Sequence, residues 1–188
     1  MPPTEPGLIL SQFHDVVGMS RETFKQRLNR RELLLPSWDW GSEPLRARYN
    51  KYSFHDALAV ELAVSLATNL AFHQASWVVM NSRGTETYLK RSRPIADPHD
   101  FWIAQIGGRH TDSDSELYDY VCGDMSEIMS AATKKGYRIS RRPPALIVMA
   151  NVWVADQRVR RRAKELGIEI TDDQFASELP RDDQGQNS

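Results

Sequence analysis

The stretch GMSRETFKQRLNRREL, residues 18–33, determines the fold expected for the first part of the chain. Ser20 stands where a serine side chain can cap the start of a helix. Phe24 and Leu28 follow at a spacing of four, which places both side chains on one face of that helix. The pattern predicts a helix from Arg21 to Asn29 that buries this face.

The opposite face of the same predicted helix is polar along its whole length. Its side chains, at helical spacing, are Arg21, Glu22, Lys25, Gln26 and Asn29. Such a face suits the edges of DNA bases, because Arg or Lys can pair with guanine and Asn or Gln with adenine. An ordinary solvated helix face is the alternative interpretation.

A shorter helix is expected upstream of this one. Ser11 can cap a helix that runs through Val17, with Phe13 and Val16 on its inner face. Gly18 can adopt the left-handed conformation that ends such a helix. Residues 11–29 are therefore expected to form two helices joined by a tight turn.

Residues 31–52 lose helical periodicity and contain two prolines and a glycine, which predicts two short strands around a loop. Arg46, Arg48 and Lys51 alternate along the returning strand, so they fall near one face or on the margin of the loop. There they could contact phosphates. Alternating cations also protect an exposed strand edge from aggregation, which is the alternative.

The next helix is expected to begin at Ser53, because Ser53 and Asp56 have the spacing of a capping box. Its apolar positions continue to Leu70 and cover more than one stripe. A helix of this kind must be covered by its own chain or by another subunit. The uncharged stretch from Leu62 to Ser82 has too many polar residues for a membrane span, so we interpret it as buried or subunit-facing.

The order helix, turn, helix, two-stranded wing, helix is that of a winged helix-turn-helix. With RARYNKYSFHDALAVELA, residues 46–63, the segment resembles the DNA-binding head of MerR-family and related excisionase-like proteins. The resemblance covers residues 8–72, and the positions that carry it are Gly18, Ser20, Arg21, Tyr52, Ser53 and Asp56.

The resemblance implies a DNA-binding transcriptional regulator with its second helix in the major groove and its wing on phosphates. The DNA-binding residues it implies are Ser20, Arg21, Lys25, Gln26 and Asn29 on the helix, and Arg46, Arg48, Lys51 and Tyr52 on the wing. The chain departs from the family in its long wing and in lacking the extended coiled coil and the metal-sensing cysteines. We therefore expect neither metal sensing nor any cofactor.

The remainder of the chain predicts a small α/β domain over residues 84–170, following the DNA-binding domain at residues 8–80. Strands are expected at residues 101–106, 117–122 and 145–149, and helices at residues 124–135 and 152–166. The fold class is therefore α+β. Residues 1–7, which contain three prolines, are expected to form a flexible arm, and residues 171–188 an acidic disordered tail.

Charge is segregated along the chain although the net charge is only −1. Between Lys134 and Lys164 there are ten basic residues and one acid, Asp156. Arg158, Arg161 and Arg162 on the final predicted helix could form a second phosphate-binding surface. The alternative is a solvated helix face that forms salt bridges with the acidic tail.

Composition and motifs also bound the function. The five histidines are scattered, no phosphate-binding glycine loop or nucleophile motif is present, and Asp97, His99, Asp100, Asp112 and Asp114 form at most a loose metal site, so we expect no enzyme. The single Cys122 and the lack of a secretory signal favour a cytoplasmic, nucleoid-associated protein.

The expected partners are double-stranded DNA and a second copy of the chain, with RNA polymerase or another regulator as a further possibility. A homodimer is expected because one winged head contacts few base pairs. Two alternatives stay open at this point: an excisionase-like or terminase-like DNA architectural or packaging factor, and a protein-interaction adaptor.

Overall fold

The computed structural model describes residues 8–36, 52–90, 95, 97–109, 116–139, 146–168 and 170. The predicted arm at residues 1–7, the tail at residues 171–188 and the wing residues Arg46, Arg48 and Lys51 lie outside these ranges. The described part combines helices with a small antiparallel sheet, which confirms the α+β class.

The described elements, in chain order, are helices α1 (Leu10–Val16), α2 (Arg21–Asn29), α3 (Phe54–Leu66), α4 (Phe72–Ser82) and α5 (Gly84–Lys90), a 3-10 turn (Pro98–Asp100), strands β1 (Trp102–Arg109) and β2 (Glu116–Gly123), helix α6 (Met125–Ile139), strand β3 (Leu146–Asn151) and helix α7 (Val152–Glu165). The sheet order is β2-β1-β3, and both outer strands run antiparallel to β1. Helix α6 therefore connects two parallel strands across the central one. The strands and helices predicted for the second half are confirmed, with bounds shifted by a few residues.

The start of α1 differs from the prediction. The backbones of Leu8 and Tyr52 exchange two hydrogen bonds of 2.8 Å, and the helix begins directly after this pair. Ile9 consequently occupies the cap position, and its N–H donates to Oε1 of Gln12 at 3.2 Å. Ser11 lies inside the helix, so the predicted serine cap is wrong. Gly18 ends this unit at a φ of +63°, as predicted.

The predicted capping box opens α3: the Ser53 N–H donates to Asp56 Oδ2 at 2.9 Å, and the Asp56 N–H donates to Ser53 Oγ at 3.0 Å. The helix ends at Leu66, however, and does not continue to Leu70. Thr68 Oγ1 donates to the carbonyl of Ser65 at 2.9 Å. Such side-chain bonds to the backbone compete with helix continuation, and a separate helix, α4, starts at Phe72.

The first strand predicted for the wing is absent from residues 32–36. Leu33 and Leu35 are buried there instead, and the Leu34 N–H donates to Ser76 Oγ on α4 at 2.8 Å. The apolar residues that suggested a strand anchor this segment to the following helices. The rest of the predicted wing, residues 37–51, lies outside the described residues.

One hydrophobic core includes residues from both predicted domains. Helix α7 packs against α1 and α3, and α4 packs against β1 and β2. Val159 and Ala163 of α7 are fully buried in the same cluster as Phe13 and Leu62. The proposed division near residue 80 stays a prediction, and the two segments share one interior.

Tyr52 lies in this interior and is 1% exposed. Ionisation of its phenol lowers the stability of the fold at alkaline pH. Burial, with the neighbouring Asp56 carboxylate, raises the pKa of Tyr52 from 10.0 to about 12. The folded state then holds the phenol proton more tightly than the unfolded state. The stabilisation that the protonated Tyr52 phenol contributes is complete below pH 10.0 and is lost as pH rises to about 12.

We therefore expect the free energy of unfolding to fall more steeply above pH 10.0 in the wild type than in Tyr52→Phe, which cannot ionise. Urea unfolding at a series of alkaline pH values measures the difference. Parallel curves for the two proteins would contradict the assignment.

Candidate nucleic-acid interface

Helix α2 presents a polar outer surface. Its exposed side chains are Arg21, Glu22, Lys25, Gln26 and Asn29. All but Glu22 are residues that the sequence predicts to contact DNA. The structure thus brings Arg21, Lys25, Gln26 and Asn29 together on one accessible helix face, which we call the α2 outer face.

Ser20 has a different task from these four residues. Its Oγ accepts a hydrogen bond from the Thr23 N–H at 3.1 Å and donates to Thr23 Oγ1 at 2.8 Å. This satisfies one of the amide groups left open at the start of the helix. Ser20 is exposed, but its hydroxyl is engaged in capping α2.

The inner side of α2 is fixed by aromatic packing. Phe24 is fully buried, with its ring 5.3 Å from that of Phe13 and 5.7 Å from that of Tyr52, both edge to face. Near the end of the helix, the Arg27 guanidinium lies 3.9 Å above the Phe72 ring, and its Nη1 pairs with Glu32 at 3.1 Å. These contacts set the rotation of α2 and hence the direction of its outer face.

Tyr52 was predicted to contact DNA, and its position contradicts this. Its ring stacks on Phe13 with a centroid distance of 4.4 Å, and the residue is almost completely buried. Pairing with Leu8 directs it into the aromatic cluster that supports α2. Tyr52 therefore supports the α2 outer face from behind and is a core residue.

The three arginines predicted as a second phosphate surface differ in their contact with one buried acid. Glu61 of α3 is 2% exposed, and its Oε2 lies 2.6 Å from Nη1 of Arg162. Its Oε1 lies 3.4 Å from Nη1 of Arg158. Arg161 is the third predicted residue. It is exposed and forms no ion pair with another residue in the described part of the chain.

This arrangement gives Arg162 a structural role. A buried carboxylate needs a compensating charge, and the Arg162 guanidinium supplies it at 2.6 Å while 28% of its side-chain surface stays exposed. Its contact with a DNA phosphate stays a prediction. Arg158 shares the carboxylate at a longer distance and keeps 47% of its side-chain surface exposed. The predicted salt bridges to the acidic tail concern residues outside the described ranges.

The same guanidinium touches the turn between α1 and α2. Nη1 of Arg162 lies 3.4 Å from the carbonyl oxygen of Val16. A Cβ atom added to Gly18 would lie 2.7 Å from Cζ of Arg162. Glycine is favoured there by its positive φ of +63°, and an added Cβ would also displace the end of the Arg162 side chain. Helix α7 is thereby fixed directly to the unit that presents the α2 outer face.

Sequence reasoning missed the role of Glu61. The signal was present, because Glu61 is the one acid between Ala57 and Leu66 in an otherwise apolar helix. An acid at such a position is expected to be paired. The identity of its partner, about a hundred residues away, could not be found from local pattern.

The acidic residues considered for a metal site serve the local structure. Asp97 Oδ1 accepts from the His99 N–H at 2.9 Å, and Asp100 Oδ1 accepts from Trp102 Nε1 at 2.6 Å. Within the described ranges, no three His, Cys, Asp or Glu side chains are grouped to hold a metal ion. Asp112 and Asp114 lie outside those ranges.

None of the helices in the described part of the chain is both long and apolar enough to cross a membrane. Compared with known proteins, the sequence matches no protein-family model and no curated protein.

Loss of the Arg162 side chain should destabilise the fold, since it leaves Glu61 buried beside the more distant Arg158. We expect Arg162→Ala to lower the free energy of unfolding by about 3 kcal/mol in urea titrations. The neighbouring Arg161→Ala, on the exposed side of the same helix, should change it by less than about 0.5 kcal/mol. Glu61→Gln in the Arg162→Ala background should restore part of the loss, because it removes the buried charge.

Equal effects of Arg162→Ala and Arg161→Ala would contradict this account of α7. So would a double variant no more stable than Arg162→Ala alone.

Proposed function

We propose that this chain is a sequence-specific double-stranded DNA-binding protein, a transcriptional regulator of MerR-like type. The observation that carries the proposal is the α2 outer face, which is polar and accessible while the opposite side of the helix is locked into the core. A recognition helix needs both properties: free side chains for base edges and a fixed orientation relative to the duplex.

The arrangement around α2 supports docking into a major groove. Helix α1 braces α2 through the contact between Phe13 and Phe24, as the first helix of a helix-turn-helix does. The amino-terminal end of α2 carries a partial positive charge, which favours approach to phosphates. Arg21 stands at this end, and Lys25 follows one turn later on the same face.

Each residue of the α2 outer face has a role in the proposal. Arg21 and Lys25 are suited to the acceptor atoms of guanine, and Gln26 and Asn29 to the paired donor and acceptor of adenine. Arg46, Arg48 and Lys51 are proposed, from the sequence, to hold the wing on the DNA backbone. Arg161 remains a candidate for a further phosphate contact because it is exposed.

The test compares two triple variants for binding to genomic DNA. The first replaces Arg21, Lys25 and Gln26 by Ala. The matched control replaces Lys134, Lys164 and Gln157 by Ala, which removes the same charge and a glutamine from exposed positions on α6 and α7. Each lost base contact is worth about 1–3 kcal/mol, so the first variant should bind at least about tenfold more weakly.

Discrete sites in genome-wide mapping should disappear in the first variant and persist in the control, with the same order of affinities in gel shifts. Equal weakening of both variants would show that binding depends on net charge and not on α2. Failure of the wild type to bind any duplex at low salt would overturn the proposal and favour a protein-interaction adaptor.

The positions of the bound sites separate the remaining alternatives. Sites close to promoters agree with a transcriptional regulator. Sites confined to recombination or packaging sequences would instead indicate the excisionase-like or terminase-like factor.

A further inference from the structure

Strand β3 forms one edge of the sheet and has an unusual composition for an edge. Its sequence is LIVMAN, residues 146–151, without a charged residue. The opposite edge, β2, contains the exposed Asp119. Charged residues on an edge strand discourage pairing with a second chain, so β2 has this protection and β3 lacks it. Among the described residues, β1 is the only strand that pairs with β3.

Apolar side chains at the β3 edge are incompletely covered on both faces of the sheet. Leu146 is 47% exposed, at the start of the strand. Ile147 and Met149 lie on the α6 side of the sheet and are half-buried. Their partners on β1, Ile106 and Ala104, lie on the same side and are fully buried. The covering of the sheet thus becomes incomplete towards β3.

Helix α6 extends this apolar surface. Lys135 reaches Asp119 on β2 at 2.7 Å, which turns that flank of α6 towards β2. Met129 stands about 120° around the helix from Lys135, on the flank towards β3. It is 48% exposed. Met129, Ile147 and Met149 are therefore partly exposed apolar side chains on the α6 side of the sheet, and we call them the α6-side strip.

We propose that the β3 edge pairs antiparallel with the β3 edge of a second copy of this chain, joining two three-stranded sheets into one. Such a pair is related by a two-fold axis, and the same surface serves on both subunits. An identical strand matches β3 in length and in apolar character on both faces. Because β3 contains no charge, its own copy meets no like-charge repulsion there.

In the joined sheet, the α6-side strip would be covered by its counterpart on the partner. The inference stands independently of the proposed DNA binding. If both hold, each dimer carries two α2 helices, as recognition of two half-sites requires.

The first experiment is the molar mass of the full chain by light scattering. The wild type should have the mass of two copies, and Leu146→Lys and Met129→Lys should each shift it towards one copy, because each places a charge in the interface. Ile9→Lys is the matched control, since Ile9 is an aliphatic residue 53% exposed at the start of α1, a helix that packs on α2 and α7. It should remain a dimer.

The second experiment needs no variant. Hydrogen exchange of the backbone amides of β3 should slow as the wild-type concentration rises, while exchange in β2 should not change. A wild type that stays monomeric at all concentrations would overturn the inference, whatever its affinity for DNA. A dimer that both lysine variants leave intact, without protection of β3, would overturn it equally.

Discussion

The carboxylate of Glu61 is the constraint on which the arrangement of this protein depends. Helix α3 is buried on nearly all sides, and Glu61 is its one acid between Ala57 and Leu66. Placing a charge there is costly unless a cation accompanies it. Arg162 supplies that cation from α7 at 2.6 Å, and Arg158 adds a second, more distant one. The need to satisfy one acid thus joins the last helix of the described chain to its centre.

The same contact determines how the α2 outer face is presented. Arg162 also reaches the carbonyl of Val16 and lies against Gly18, where an added Cβ would lie 2.7 Å from its Cζ. The turn between α1 and α2 therefore rests on α7, while Phe24 and Tyr52 hold α2 from inside. The unit that we propose to bind DNA is continuous with the sheet and its helices through one core.

Local chemistry made much of the fold predictable. The caps at Ser20 and Ser53 and the turn at Gly18 depend on a few neighbouring residues, and the structure confirms them. The strands and helices of the second half were predictable for the same reason. Ser11 does not cap α1 because the pairing of Leu8 with Tyr52 sets the start of that helix. The end of α3 at Leu66 accompanies the bond from the Thr68 side chain to the Ser65 carbonyl. Hydrophobic periodicity reveals neither contact.

The candidate site divides in the same way. The α2 outer face was predictable because side chains at helical spacing must share a face. The burial of Tyr52 and the pairing of Arg162 with Glu61 were not, because they join residues far apart in sequence. A basic cluster in a sequence gives the charges but not their partners, so Arg162 and the exposed Arg161 look alike until the structure separates them.

Contact between the α2 outer face and DNA can be mapped by a nuclear magnetic resonance titration of the isotope-labelled chain with a duplex that it binds. We expect the largest amide shift changes between Ser20 and Arg30, with few in α6. Changes concentrated on α6 or the sheet, with α2 unaffected, would show that DNA binds elsewhere on the protein.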